Sequence, residues 1–151
     1  MEEGFTINRT KQAADKLIRR YKTNDPCKIA EAKNMIIIYE PLGSTLGYYS
    51  SYKRINFIHI NNSLNSVWQR FVCAHELGHA ILHPKVNTPF LRSYTLFSVQ
   101  RIEREANEFA VELLMPDYTI CAHDNKSRSI YEIAASCGIP KELVKLKKLD
   151  N

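Results

Sequence analysis

The stretch VCAHELGHAILHP, residues Val72 to Pro84, decides how the rest of the chain is interpreted. It contains the pattern H-E-x-x-H, with His75 and His79 four residues apart and Glu76 beside the first. On a helix, positions i and i+4 share a face, so two imidazoles so placed can bind one metal ion. The adjacent glutamate can then reach a water molecule on that ion. The pattern therefore predicts a metal site with His75 and His79 as ligands.

The helix around this pattern is predicted to run from about Leu64 to His83 and to stop at Pro84, which cannot continue a helix. A helix with surface histidines is the alternative interpretation. It is weakened because the helix is largely apolar, so unpartnered histidines would be buried at a cost. Gly78 costs about 1 kcal/mol relative to alanine inside a helix. Either close approach of another backbone or packing against a neighbouring strand would explain this glycine.

A catalytic zinc site usually has three protein ligands and one open position, so a third ligand is needed. His83 continues the histidine spacing, but it lies about 12 Å from His75 along a helix that rises about 1.5 Å per residue. Three ligands from one straight helix cannot converge on one ion. We therefore expect His83 to hydrogen bond a metal ligand or to act as a helix-end group.

The third ligand is sought in a second predicted helix, which starts near Val99 and ends before Pro116. Its glutamates are Glu103, Glu105, Glu108 and Glu112. At about 100° per residue, Glu103 lies about 60° from the centre of the apolar face and Glu105 about 100°. Glu103 is therefore the predicted ligand, with Glu105 as its rival. Asn107, one turn after Glu103, is predicted to hydrogen bond a metal-binding histidine.

Helices and strands follow one another irregularly along the remaining sequence. The other predicted elements are a helix at residues 9–22, strands at 35–40, 48–52 and 54–60, a loop at 85–98 and two short helices at 127–149. The last two strands form a hairpin through Lys53 and Arg54. These elements indicate an α+β domain with a small three-stranded sheet. Residues 1–116 form its core, including the N-terminal helix, and 117–151 form a small helical extension of the same compact unit.

The composition is typical of one folded domain, with 151 residues of which 44% are hydrophobic and 25% charged. No apolar run reaches the roughly 20 residues of a membrane span, and no apolar signal region opens the chain, so we expect a cytoplasmic protein. The net charge is +5, with basic clusters at Lys16–Lys22 and Lys141–Lys148 that are interpreted as solvated helix faces. Direct nucleic-acid binding is therefore not expected.

The four cysteines of the chain are Cys27, Cys73, Cys121 and Cys137, and no two of them form a C-x-x-C pair. They are interpreted as reduced thiols rather than as a disulfide framework or a cysteine-rich zinc site. Cys73 lies just before the histidines and is expected to be a small buried hydrophobic residue.

The segment HELGHAILH followed by IEREANEFAVELLMP resembles the ImmA/IrrE family of metallopeptidases. The resemblance covers about Met35 to Pro116. It implies a zincin-like fold with a zinc site similar to that of thermolysin-like gluzincins, where manganese is an alternative ion. It also implies that His75, His79 and Glu103 are the ligands and that Glu76 is the general base.

Members of this family typically act on a helix-turn-helix transcriptional repressor, often that of a prophage or integrative element. The resemblance therefore implies a zinc endopeptidase that cleaves such a repressor and relieves repression. The alternative is an antirepressor that binds its partner without cutting it, and a third class is a structural zinc domain. The short tail resembles the helical extension of the phage-immunity type and is expected to be a lid or a docking surface.

Two parts of the expected mechanism lie outside the metal ligands. The strand Arg54–Ile60 is expected at a sheet edge, where an extended substrate would pair by strand addition. A further donor should stabilise the oxyanion of the reaction. The candidates for this donor are Tyr48, Tyr94, Tyr118 and His123, and the sequence does not choose among them.

Overall fold

Helices pack against a small sheet in the computed structural model, which describes residues 8–86, 90–92, 95–98, 100–123 and 128–149. Helices α1 to α6 span Arg9–Tyr21, Pro26–Ala32, Ser66–Leu82, Arg101–Leu114, Asp117–His123 and Ile130–Ser136, and a C-terminal 3-10 helix spans Lys141–Leu146. Strands β1 to β4 span Ile36–Glu40, Thr45–Tyr52, Ile55–Asn61 and Leu91–Arg92. The predicted α+β class is confirmed.

The helix boundaries follow from local side-chain chemistry. Asn65 caps α3 by accepting a hydrogen bond from the Trp68 amide at 2.9 Å, which satisfies one of the free amides of the first turn. Asp25 caps α2 in the same way, with Pro26 in the first turn where its missing amide is not needed. Helix α3 ends at Leu82, two residues before the proline that was predicted to stop it.

The strands lie in the order β1-β3-β2-β4. Strand β3 pairs with β1 in parallel and with β2 in an antiparallel hairpin. The hairpin turns through Lys53 and Arg54, as predicted, and both residues have positive φ angles, of 50° and 67°. A two-residue turn of this kind matches the right-handed twist of the strands it joins.

Two sequence predictions about these elements are wrong, and one helix was not predicted. Strand β3 lies inside the sheet and not at its edge, because β1 occupies the side that β2 leaves open. The sheet has a fourth strand, since Leu91 and Arg92, predicted to lie in a loop, pair with Gly47 and Thr45 of β2. Helix α5 was not predicted from the sequence. The predicted start of α4 at Val99 lies outside the described residues.

Helix α3 is the centre of the core. All residues from Phe71 to Ala80 are buried, because the sheet covers one side of the helix and α4 covers another. Gly78 is what lets α4 come close. A Cβ atom on this glycine would lie 3.0 Å from the Phe109 ring and 3.3 Å from the Ala106 Cα atom. Of the two explanations for the glycine, close approach of another backbone is therefore the one observed, and the backbone belongs to a helix.

A buried ionic cluster holds the C-terminal segment to the core. The Lys147 ammonium lies 2.6 Å from Glu112 Oε1 on α4 and 2.8 Å from Asp117 on α5. Lys11 of α1 lies 3.0 Å from the same Asp117. The amide of Lys148 donates to the second Glu112 oxygen at 2.8 Å. The interpretation of Lys141–Lys148 as a solvated helix face is therefore wrong for Lys147, whose side chain is only 1% exposed.

Within the described ranges, no helix has both the length and the apolar character needed to cross a membrane.

Replacing Lys147 tests the importance of this cluster for stability. Lys147→Met leaves the Glu112 carboxylate buried without its closest cation, so we expect a loss of about 3 kcal/mol in the free energy of unfolding. Lys148→Met is the matched control, because it removes the same charge from an exposed position and keeps the amide that contacts Glu112. Urea denaturation measures both variants. Equal stability of the two variants would show that the cluster contributes nothing specific.

Candidate metal centre

Helices α3 and α4 bring three potential ligands together at their interface. His75 Nε2 lies 3.3 Å from Glu103 Oε2, and His79 Nε2 lies 3.0 Å from Glu103 Oε1. One donor atom from each of the three residues lies within 4.8 Å of the others, and all three side chains are buried. This group could hold a metal ion.

The local structure explains why these side chains converge. His75 and His79 are one turn apart on α3, and their rings meet edge to face with centroids 4.8 Å apart. Glu103 is in the first turn of α4, on the edge of that helix that packs against α3. Glu105 does not join the group. It pairs instead with the Arg101 guanidinium at 2.9 Å and lies 3.7 Å from His83.

Asn107 orients the His75 ring. Its side-chain oxygen lies 2.8 Å from His75 Nδ1, which is the hydrogen bond predicted from the sequence. Its amide nitrogen donates to the carbonyl of Leu96 at 2.6 Å, so the oxygen must face the imidazole. His75 Nδ1 then carries a proton, so Nε2, which lies on the side of Glu103, is the nitrogen available to a metal ion. Burial opposes a second proton on this ring, but the Glu103 carboxylate outweighs that effect and raises the pKa of His75.

His83 has the corresponding position beside His79. The Nδ1 atoms of the two rings lie 3.1 Å apart, so one of them donates to the other. A proton on His79 Nδ1, donated to His83, leaves His79 Nε2 free to bind a metal ion. The opposite nitrogen of His83 faces Glu105. His83 is also the C-cap residue of α3, so the structure places it both at the helix end and in a hydrogen bond with a neighbouring histidine.

The buried polar atoms at this interface fit a metal ion. His75 Nε2, His79 Nε2 and Glu103 Oε1 are buried and have no hydrogen-bond partner in the part of the chain that the structure describes. Tetrahedral ligands at about 2.1 Å from a zinc ion lie about 3.4 Å apart, close to the two nitrogen–oxygen separations observed. A cation would therefore satisfy atoms whose burial is otherwise costly.

The electrostatics of the group are dominated by burial and by the single carboxylate between two rings. Burial raises the pKa of Glu103, but the adjacent imidazoles of His75 and His79 lower it by more, so the resulting pKa is about 2. Burial lowers the pKa of His79, and the Glu103 carboxylate only partly offsets this. Glu103 is thus ionised and His79 is mainly neutral, which are the forms that bind a metal ion.

Glu76 is fully buried beside this group. Neither carboxylate oxygen has a hydrogen-bond partner among the described residues. Burial raises the pKa of Glu76 to about 7, and the nearby His75 only partly offsets this effect. Burying a carboxyl group without a partner destabilises the folded state, so the position of Glu76 next to the three potential ligands requires an explanation.

Three of the four candidates for an oxyanion donor lie in the described part of the chain, and there none of them makes a hydrogen bond or ion pair with His75, His79 or Glu103. Tyr48 stacks on His59 of β3 with ring centroids 4.0 Å apart, and Tyr118 is largely exposed on α5. His123 ends α5, and Tyr94 lies outside the described residues.

The carbonyl of Leu96, which holds the Asn107 side chain, could not be identified from the sequence. Every residue has a carbonyl, and no sequence signal marks this one.

Comparison with known proteins agrees with this geometry. The family model of the IrrE N-terminal-like domain, a peptidase family, matches residues 30–147. The chain is 46% identical over 140 residues to the "Uncharacterized immunity region protein 2" of Bacillus phage phi105, covering 92% of this chain and 89% of that protein. It is 31% identical over 115 residues to the "Metallopeptidase ImmA" of Bacillus subtilis strain 168, covering 75% of this chain and 67% of that protein. The chain therefore belongs to the ImmA/IrrE family of metallopeptidases.

Proposed function

We propose that the protein is a zinc-dependent endopeptidase that cleaves a helix-turn-helix repressor and so relieves repression of a prophage or mobile element. The observation that carries this proposal is the buried convergence of His75, His79 and Glu103, with the unpartnered carboxylate of Glu76 beside them. Family membership supports the peptidase class, and the phage relative supports a role in immunity regulation.

The donor set favours zinc over magnesium and calcium. Two imidazole nitrogens and one carboxylate oxygen are typical of catalytic zinc, whereas magnesium and calcium prefer oxygen ligands alone. When bound, a zinc ion supplies the positive charge that polarises a peptide carbonyl and acidifies a water molecule. Asn107 and His83 would keep the two imidazoles in the tautomer that presents Nε2.

Glu76 is proposed to move the proton. As a general base it would take a proton from the attacking water, and as a general acid it would pass that proton to the leaving amine. Its burial limits contact with bulk water, and both of its oxygens are available for this role, since neither has a hydrogen-bond partner within the described ranges. A protein that only bound its repressor would not need this carboxylate, and removing it would relieve a cost of folding.

The substrate is proposed to bind in an extended form at the sheet. Because β3 is interior, strand addition would use the edge of β2 beyond its short pairing with β4. This edge is anchored near the site, since Gly47 of β2 packs against Val72, one turn before His75.

A cleavage assay with the helix-turn-helix repressor of the same prophage tests the reaction. We expect wild type to produce fragments and Glu76→Gln to lower kcat/KM by about 10² to 10⁴, because the general base is lost. Glu31→Gln, the same change on the exposed face of α2, should cleave normally. If wild type and Glu76→Gln relieve repression equally and no fragments appear, the protein acts by binding alone.

Metal analysis of two glutamate variants tests the ligand set. Glu103→Gln should lower zinc affinity by at least about 10-fold to 100-fold, since it removes a charged ligand. Glu105→Gln should retain zinc because its carboxylate contacts Arg101 and His83 and not the group itself. Mass spectrometry of the purified variants measures their zinc content. Retention by Glu103→Gln with loss from Glu105→Gln would make Glu105 the ligand.

Glu76 also makes the stability of the metal-free protein depend on pH. Its pKa is raised to about 7 in the folded chain from a usual value of 4.5, so the folded state holds a proton that the unfolded state has lost between these values. The stability from this proton is present below about pH 4.5 and is lost as the pH rises to about 7. Between about pH 5 and 8, wild type should lose roughly 2 to 3 kcal/mol relative to Glu76→Gln, which cannot titrate. Urea denaturation at both pH values measures this difference, and a constant difference would contradict the assignment.

A further inference from the structure

Two of the four cysteines meet in the core although they are far apart in the sequence. The sulfur atoms of Cys27 and Cys73 lie 3.4 Å apart, and 46 positions separate the two residues. Cys27 is in the first turn of α2, and Cys73 is on α3, two residues before His75. The contact therefore joins α2 to the helix that carries the H-E-x-x-H pattern.

The two thiols differ in access to solvent. Cys73 is fully buried, whereas Cys27 is half-buried, so a small reagent can reach only the Cys27 side of the pair. The Tyr39 hydroxyl is a second neighbour of the Cys27 sulfur, at 3.6 Å. A hydrogen bond with Cys73 lowers the pKa of Cys27 to about 7, so much of this thiol is a nucleophilic thiolate at neutral pH.

We propose that Cys27 and Cys73 are a redox-active dithiol, which a small-molecule disulfide oxidises to an intramolecular disulfide. Accessible Cys27 is the attacking thiol, and buried Cys73 is the resolving thiol. The two sulfur atoms must approach by about 1.4 Å to reach the usual bond length of about 2.05 Å. Because the sulfur atoms are already in contact, the approach is a local one between α2 and α3.

The exchange proceeds in two steps. The Cys27 thiolate attacks one sulfur of the oxidant, whose disulfide bond breaks and releases a thiolate, leaving a mixed disulfide on Cys27. The Cys73 sulfur then attacks the Cys27 sulfur, a second thiolate leaves, and the released thiolates take up the protons of the two protein thiols. Two protein thiols are oxidised to one disulfide, and one small disulfide is reduced to two thiols.

The test uses the zinc-loaded full chain and oxidised glutathione as the probe. After treatment near pH 7.5, free thiols are alkylated and the protein is digested without reduction for mass spectrometry. We expect the loss of both Cys27 and Cys73 as free thiols and a linked peptide containing both residues, reversed by dithiothreitol. The double variant Cys121→Ser, Cys137→Ser should give the same linked peptide, because neither of these residues belongs to the pair.

A variant without the resolving thiol separates the two steps. Cys73→Ala should retain glutathione on Cys27, since no second thiol can displace it, and circular dichroism checks that this variant is folded. The proposal is overturned if wild type keeps both thiols free or retains glutathione on Cys27. It is also overturned if the disulfide of wild type uses Cys121 or Cys137. The wild-type result decides the matter even if Cys73→Ala does not fold.

Discussion

The close packing of α3 against α4 is the constraint on which the rest of the structure depends. Gly78 lets the backbone of α4 approach to a distance that a side chain would prevent. This contact places the Glu103 carboxylate next to the rings of His75 and His79. If the helices were farther apart, the carboxylate would not reach either ring. The conformational cost of a glycine inside a helix is thus offset by the interactions that the close approach makes possible.

The buried histidines and glutamate at this interface need hydrogen-bond partners, and the surrounding chain supplies some of them. Asn107 and His83 satisfy the Nδ1 atoms of the two imidazoles. Among the described residues, His75 Nε2, His79 Nε2 and Glu103 Oε1 remain buried without a hydrogen bond at the interface, as do the two oxygens of Glu76 beside it. A cation would bind the two imidazole nitrogens and the Glu103 oxygen together. It would thereby replace the contacts with water that these atoms lose when they are buried. Stability and chemistry are therefore linked at this site, since the arrangement that a metal ion stabilises is also the arrangement that the proposed hydrolysis requires.

The outer parts of the fold support this interface from two sides. The sheet covers α3 with the buried side chains of Ile58 and Ile60, and the ionic cluster around Glu112 ties the C-terminal segment and α1 to α4. Most of the helices, the hairpin turn and the α+β class could be predicted, because hydrophobic periodicity and caps act over a few residues. The order of the strands and the burial of Lys147 could not be predicted, because both depend on partners distant in the sequence.

The sequence by itself determined the helix that carries His75, Glu76 and His79. The helical spacing of the second helix, α4, identified Glu103 as the acid nearest its buried face. Those inferences rest on regular spacing, which a helix converts directly into positions on one face. Only the tertiary structure decided that Asn107 is held by a backbone carbonyl, that β3 is interior, and that Cys27 meets Cys73. These contacts join residues from 11 to 46 positions apart in the sequence, and their geometry is set by how the helices, loops and sheet pack together and not by any local pattern.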